Sequence, residues 1–345
     1  MPWAEIRVEV PIQGQGASLS IQDLNRMFYD HYPRRYFEAA LQLAVAGYHD
    51  PAGALSPLAE RVLVKGEPGE SALQVQVPVR DEDVIAIRAA SRLQIAALYY
   101  HALETFLRLF LAHAPDVTCP WMQLVRDEGP PFTEKLKRIE QFAGEWVGSA
   151  APEDEHVRLV FFPVKAPEPE HQVAFGNAKS WLRFAAQEYR ASRVNHALKH
   201  GISVRSGEPD FAFYSGVDPR AEPDAKPVFK WSGEALIHLS RVMQPDRSKA
   251  WVMDHRKLSV IESMGIIFLV QRWIQAILDV GELRFLGRQP KAQIDVPAIS
   301  FEEYVEKARL ESSPAWSMTA FSMPIGWADR APPKTRAAGD EKPGL

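Results

Sequence analysis

The sequence predicts a mainly α protein, a four-helix-bundle-like core with an N-terminal β/α segment and a β-rich insertion before the last long helix. Three observations carry this expectation. From about Asp83 the chain reads DVIAIRAASRLQIAALYYHALETFLRLFLAHAP and meets no helix breaker until Pro115. That stretch is apolar over most of its circumference, which places it at the centre of a bundle. Further segments with helical spacing of apolar residues follow. Between residues 202 and 250, Pro, Asp and Gly crowd around short runs such as FAFYSG and PVFKWSG, a pattern of strands and loops.

In chain order, Ile6, Val8 and Val10 alternate as on a half-buried strand. Ser20 with Asp23 forms a capping-box pattern ahead of Ile21, Leu24, Met27 and Phe28, whose helical spacing ends at Tyr32-Pro33. YFEAALQLAVAGY resumes helix and stops near Gly47, and two alternating segments around Gly66, Pro68 and Gly69 predict a hairpin. A second core helix is expected from Thr133, an N-cap residue type after Pro130 and Pro131, with Leu136, Ile139, Phe142 and Trp146 on its buried side. VRLVFFPV reads as a strand. A third core helix is expected from about Val173 to His200, with Gly201 as its stop. The fourth is expected from near Asp254 to Gly281. The corresponding division is an N-terminal segment 1–83, a helical core 84–285 with the insertion 202–250, and a C-terminal extension 286–324. The last segment, 325–345, is too poor in apolar groups to offset its ordering entropy and is expected to be disordered.

The composition, 46% hydrophobic and 24% charged, is that of a soluble globular chain. A net charge of −4 argues against a surface wholly built to hold nucleic acid, while leaving room for a local basic cleft. Cys119 is the single cysteine, so no intrachain disulfide framework exists. Glu5 and Arg7 interrupt the opening where a signal peptide needs an apolar run, and the expected location is cytoplasmic. Glu262, Gln271, Arg272 and Gln275 break up the apolar stretch 261–278 well short of the roughly 20 residues a bilayer core requires. It reads as a buried helix, and no membrane partner is expected.

The chemistry-bearing anomalies lie on buried faces. On a continuous wheel, Phe175, Ala178, Leu182, Ala185, Ala186 and Tyr189 share one face, which Arg193, His196 and His200 then continue. Glu104 sits among Leu93, Ala97, Tyr100, Leu107 and Leu111 on the long central helix, and a buried carboxylate requires a partner. Arg193 is the expected partner, and Glu262 is a second carboxylate in the same position on the last helix. Bland readings exist for each. Lys199 and His200 complement a helix C-terminus, Arg193 with Glu104 is then a structural ion pair, Glu262 completes a capping box with Ser259, and His101 is a core-edge histidine. His196 and His200, four residues apart, also have the spacing with which two imidazoles share a zinc ion. The glutamate of a metalloprotease helix is missing from HALKH, and the serine-elbow, phosphate-loop and dinucleotide glycine motifs are absent from the chain.

Four long helices with an arginine and a histidine four to six residues apart resemble the HEPN superfamily, whose members form helical bundles and often dimerise. Two pairs satisfy the spacing, Arg190 with His196 and Arg193 with His200, and the wheel favours the second. The polar residue that commonly follows the family's arginine is Val194 here, with Asn195 one place later. The resemblance implies metal-independent RNA cleavage, with histidine moving protons and arginine binding phosphate, or RNA binding alone in members without catalysis. It implies Arg193, His200 and His196 as catalytic residues, and Asn195, Glu104 and Arg190 as binding residues. The implied partners are RNA or a nucleotide and a second copy of the chain, with no cofactor. A non-catalytic interaction protein whose polar cluster fixes helix packing, and a metal-binding bundle, are the competing readings.

Overall fold

The computed structural model describes residues 19–60, 62–64, 73–75, 80–127, 129–143, 151–163, 169–199, 204–213, 226, 229–243, 249–289, 294–311 and 320–324. The first elements are helices α1 (Ile21–His31), α2 (Tyr36–His49) and α3 (Pro51–Glu60) and a hairpin of β1 (Val62–Val64) and β2 (Leu73–Val75). Helix α4 (Asp81–Ala112) follows, then α5 (Pro120–Arg126), α6 (Pro130–Ile139), α7 (Pro152–Phe161), α8 (Pro169–Ala191) and α9 (Arg193–Lys199). Strands β3 (Val204–Gly207), β4 (Asp210–Phe213), β5 (Phe229–Ser232), β6 (Ala235–Met243) and β7 (Lys249–Lys257) separate these from α10 (Val260–Leu286). Helix α11 (Phe301–Glu311) and β8 (Ala320–Pro324) complete the described chain, which is a mainly α fold with a β insertion before its last long helix.

Helix α4 is the axis, touching α2, α5, α8 and α10 along its length. Leu103, Phe106, Leu107 and Phe110 have no solvent exposure. Phe110 stacks on Phe161 of α7, which meets the edge of Trp273 on α10 at 5.1 Å. The α2–α4 contact is close enough that a Cβ at Gly47 would strike the Ser91 hydroxyl. The α4 C-terminus is capped from α10 by the Arg284 guanidinium, which donates to the carbonyls of His113, Ala114 and Pro115. Both α4 and α10 are long and apolar enough to cross a membrane by length and composition. Here they pack on each other, and Ile266, Val270, Trp273, Ile274 and Ile277 of α10 are buried. Between α7 and α8, Asp154 and Lys179 form an ion pair from which both side chains expose nothing.

Strands β3, β6, β7 and β8 form an antiparallel sheet in the spatial order β3-β6-β7-β8, and β4 pairs with β5 in a separate ribbon. Val204, His238, Asp254 and Ser322 lie in one cross-strand row, on the face that also carries Ser206, Leu236 and Arg256. This face meets the helices. Ser206 donates to the Ala89 carbonyl of α4 at 3.1 Å, and Arg256 pairs with Glu188 of α8. At the edge, Glu234 accepts from Tyr48 of α2 at 2.7 Å and pairs with Arg92 of α4 at 2.6 Å.

Both predicted caps form: Ser20 and Asp23 close a reciprocal box, and Ser259 accepts from the Glu262 amide. The hairpin of β1 and β2 and the strand runs FAF and FKWS also form as expected. Four expectations are corrected. VRLVF is the C-terminal half of α7, because Asp154, Val157, Val160 and Phe161 recur at helical spacing and Pro152 with three acidic residues opens the first turn. The helix expected from Thr133 starts at Pro130 and ends at Ile139. The fourth helix starts at Val260, and Asp254 lies in β7, paired across the sheet with His238. The third helix is not continuous to His200: it breaks at Ser192 into α8 and α9. The strand expected around Ile6, Trp146 of the second core helix, and the tail 325–345 lie outside the described residues.

Candidate functional site

The break at Ser192 decides where the expected polar residues go. Ser192 is buried, and its hydroxyl accepts from the Asn195 amide at 3.3 Å, the interaction of a helix N-cap. Arg190 therefore belongs to α8 and Asn195 to α9, and a single wheel no longer relates them. Arg190 pairs with Glu140 at the end of α6. The backbone of Arg193 and His196 lies in α9, while their side chains and the whole of His200 lie outside the described residues.

Asn195 and Glu104 are brought together. Gln94, Ala97 with Leu98, His101 and Glu104 lie on successive turns of one face of α4 and line a cavity of about 330 Å³. Tyr36 and Ala40 of α2 form the opposite wall, and Asn195 and Leu198 of α9 close the end. Asn195 is buried, at 5% exposure, and the Glu104 side chain is 13% exposed. Glu104 accepts from the guanidinium of Arg108, its neighbour on the same helix, at 2.9 Å. Arg108 in turn donates to the Asp127 carbonyl and lies 4.3 Å from the Phe132 ring centroid, a placement that fixes its direction. His101 is exposed, with its edge toward the rings of Tyr36 and Phe37 at 5.6 and 5.1 Å.

A partly buried polar cluster joins β7, α4 and α8 near the α8–α9 junction. Arg256 of β7 pairs with Glu188 and lies 5.6 Å from the ring centroid of Tyr100 on α4. The Tyr100 hydroxyl donates to Glu188 at 3.4 Å. Burial raises the Tyr100 pKa well above the ordinary phenol value, so its hydroxyl stays protonated. One strand and two helices, β7, α4 and α8, are thereby tied together about one turn before the break at Ser192. Sequence reasoning missed Tyr100 and Arg256 because their partners are long-range. Ser192, an N-cap residue type three places before a polar residue, was the only local signal of the break.

A larger cavity, about 650 Å³, lies between α8 and α11, where Arg183 is paired with Glu302 at 3.2 Å. It shares no lining residue with the cavity at Asn195. Among the described residues no group of three His, Cys, Asp or Glu side chains converges in a way that could hold a metal ion. No protein-family model, curated protein or solved structure matches the chain.

Proposed function

We propose that the protein is a HEPN-like RNA-binding or RNA-cleaving protein whose site lies where α9 meets α4. The observation that carries this reading is the cavity that gathers Asn195, Glu104 and His101 beside the helix bearing Arg193 and His196. In the cleaving form, a histidine of the segment 196–200 takes the proton of a 2′-hydroxyl. The freed oxygen bonds to the adjacent phosphorus, and the 5′-oxygen leaves with a proton returned by a second acid. Arg193 stabilises the charge developing on the phosphoryl oxygens. Asn195 and Glu104 orient the ribose or base edge from the cavity wall.

A non-catalytic reading has its own support: Arg190 with Glu140, Glu104 with Arg108, and the Tyr100 cluster are all arrangements that fix helix packing. Incubation of a labelled mixed-sequence RNA in EDTA separates the two. The nuclease reading predicts cleavage by the wild type that is lost in folded Arg193→Ala and His200→Ala variants. An intact RNA with the wild-type protein sinks the nuclease and leaves binding to be tested by itself.

A further inference from the structure

Three cavities follow one another along one side of α4, from Gln94 to Leu109, and form a groove. The first is the cavity at Asn195. The last, about 360 Å³, runs past Arg108 to Trp121 of α5. The middle one, about 200 Å³, shares Tyr36 and His101 with the first and Tyr32 and Thr105 with the last. It differs from both in having no carboxylate, lysine or arginine side chain among its described lining residues.

Gln271 of α10 lines this middle cavity. Its Nε2 donates to the Arg34 carbonyl at 2.6 Å, in the turn between α1 and α2. Only the nitrogen of an amide can donate to a carbonyl, so this bond fixes the direction of the side chain and leaves Oε1 as its other end. That oxygen is buried and accepts no hydrogen bond from any described residue. A buried acceptor without a donor is unfavourable, and the cavity is the space from which a donor can reach it. Tyr32, Phe37 and Ile274 supply apolar walls around it. Tyr36, at 44% exposure, and the exposed His101 stand where the cavity meets solvent, so a ligand has a way in.

We propose that the middle cavity binds a small uncharged ring carrying one hydrogen-bond donor, a phenol or an indole, whose O–H or N–H donates to Gln271 Oε1. The size fits one ring. An apolar cavity of roughly 150 Å³ takes up benzene, and the further volume here leaves room for the donor group. The ligand is neutral, because a carboxylate or ammonium would lose its hydration with no described charged side chain in the cavity to compensate it. The ring arrives either as a free small molecule or as the tyrosine side chain of a partner protein, and its chemistry is the same in both cases.

The test is a fluorine NMR titration of the purified protein with para-fluorophenol and, separately, with para-fluorotoluene, which matches it in shape and has no donor. The expected result is saturable binding of the phenol at one site, tighter than the toluene. Gln271→Met, close in size but without the acceptor, should reduce that preference by about 2- to 10-fold, the worth of one neutral hydrogen bond. Thr105→Phe, which places a ring of the protein's own in the cavity, should exclude both probes. Melting curves establish that the variants fold, and the wild-type comparison decides by itself if neither does. No saturable binding of the phenol leaves Gln271 to water and overturns the proposal. Toluene bound as tightly as the phenol overturns it too, as does a preference unchanged in both folded variants. N-acetyltyrosinamide competed against the bound phenol distinguishes the sources: displacement supports a partner's tyrosine, and its failure beside a bound phenol supports a free small molecule. Neither probe is a nucleotide, so each outcome stands whether or not the protein binds RNA.

Discussion

The two sides of α4 have opposite character over the same turns of helix. Leu103, Phe106, Leu107 and Phe110 are completely buried against α7, α8 and α10, with rings interlocked from Phe106 through Phe161 to Trp273. Gln94, His101, Glu104, Thr105 and Arg108 look into the groove and carry hydrogen-bonding groups. The difference shows how a single helix divides its tasks: the apolar side supplies stability and sets the position of the helix, and the polar side is free to carry specificity. Neighbouring residues should therefore differ sharply in what their loss does.

The largest effect tests that division directly. Phe106→Ala should destabilise the protein by about 3–5 kcal/mol, the transfer free energy of the ring plus the void it leaves among packed aromatics. Thr105→Ala, one residue away, should change stability by no more than about 0.5 kcal/mol. Urea denaturation of the two variants makes the comparison. Similar losses in both would mean that the groove side is as structural as the core side.

Next in size is a pH dependence seated at the core end of α4. The His113 ring is buried, with Nδ1 donating to the Leu109 carbonyl at 2.8 Å and Nε2 accepting from the Tyr29 hydroxyl at 2.9 Å. A Cβ at Gly281 would collide with both Tyr29 and His113, so α10 seals this pair from water. Burial pushes the His113 pKa down to about 4, aided by the nearby Arg284, and His156, stacked on Phe110 at 3.9 Å, is pushed down to about 4 for the same first reason. Asp116 acts on His156 in the opposite sense, and Lys135 in the same sense as burial. Both rings are neutral in the folded protein and take up a proton more readily when unfolded. Their contribution is thus complete above pH 6.5, and it is lost as pH falls from there toward 4, by about 3 kcal/mol for each histidine. Denaturation between pH 8 and pH 4 should show this slope, and His113→Gln should reduce it. An unchanged slope in that variant would place the acid sensitivity in His156 or the carboxylates instead.

Local rules were sufficient wherever the signal was local. Ser20 and Ser259 cap helices at the expected residues, and the unbroken run from Asp83 is the central helix. The failures have two causes, a local signal outweighed by another and pairing that no local window contains. VRLVFF alternates well enough to pass as a strand, and the three acidic residues after Pro152 were the stronger evidence. Lys249–Lys257 becomes a strand because it pairs with β6 on one side and β8 on the other, information absent from its own window. At the site, Glu104 was legible as a polar group on an inward face, Asn195 was named only through the family resemblance, and the two line one cavity. Their expected company, Arg193, His196 and His200, was drawn on a continuous wheel, which the break at Ser192 invalidates beyond that residue. The contributions of Tyr36, Tyr32 and Trp121 were not legible, since a groove is made by three helices meeting and none of them encodes it alone.

The smallest expected effect on stability is the most informative about function. Glu104→Gln keeps the size and the acceptor oxygen of the side chain but removes the charge that pairs with Arg108. The pair is partly exposed and lies within one helix, so the loss of that pair by itself should cost no more than about 0.5 kcal/mol, and Arg108 retains the Asp127 carbonyl and the Phe132 ring. If the cluster serves only to fix helix packing, RNA affinity and cleavage will follow that minor change. If the groove holds RNA, a negative charge has been removed beside the phosphate path, and affinity should rise, most clearly at low salt, where the screening length is long. Titration of wild type and variant with the labelled mixed-sequence RNA at two salt concentrations reads this out. A gain that fades with salt assigns Glu104 to the ligand's path, and identical curves assign it to the packing of α4.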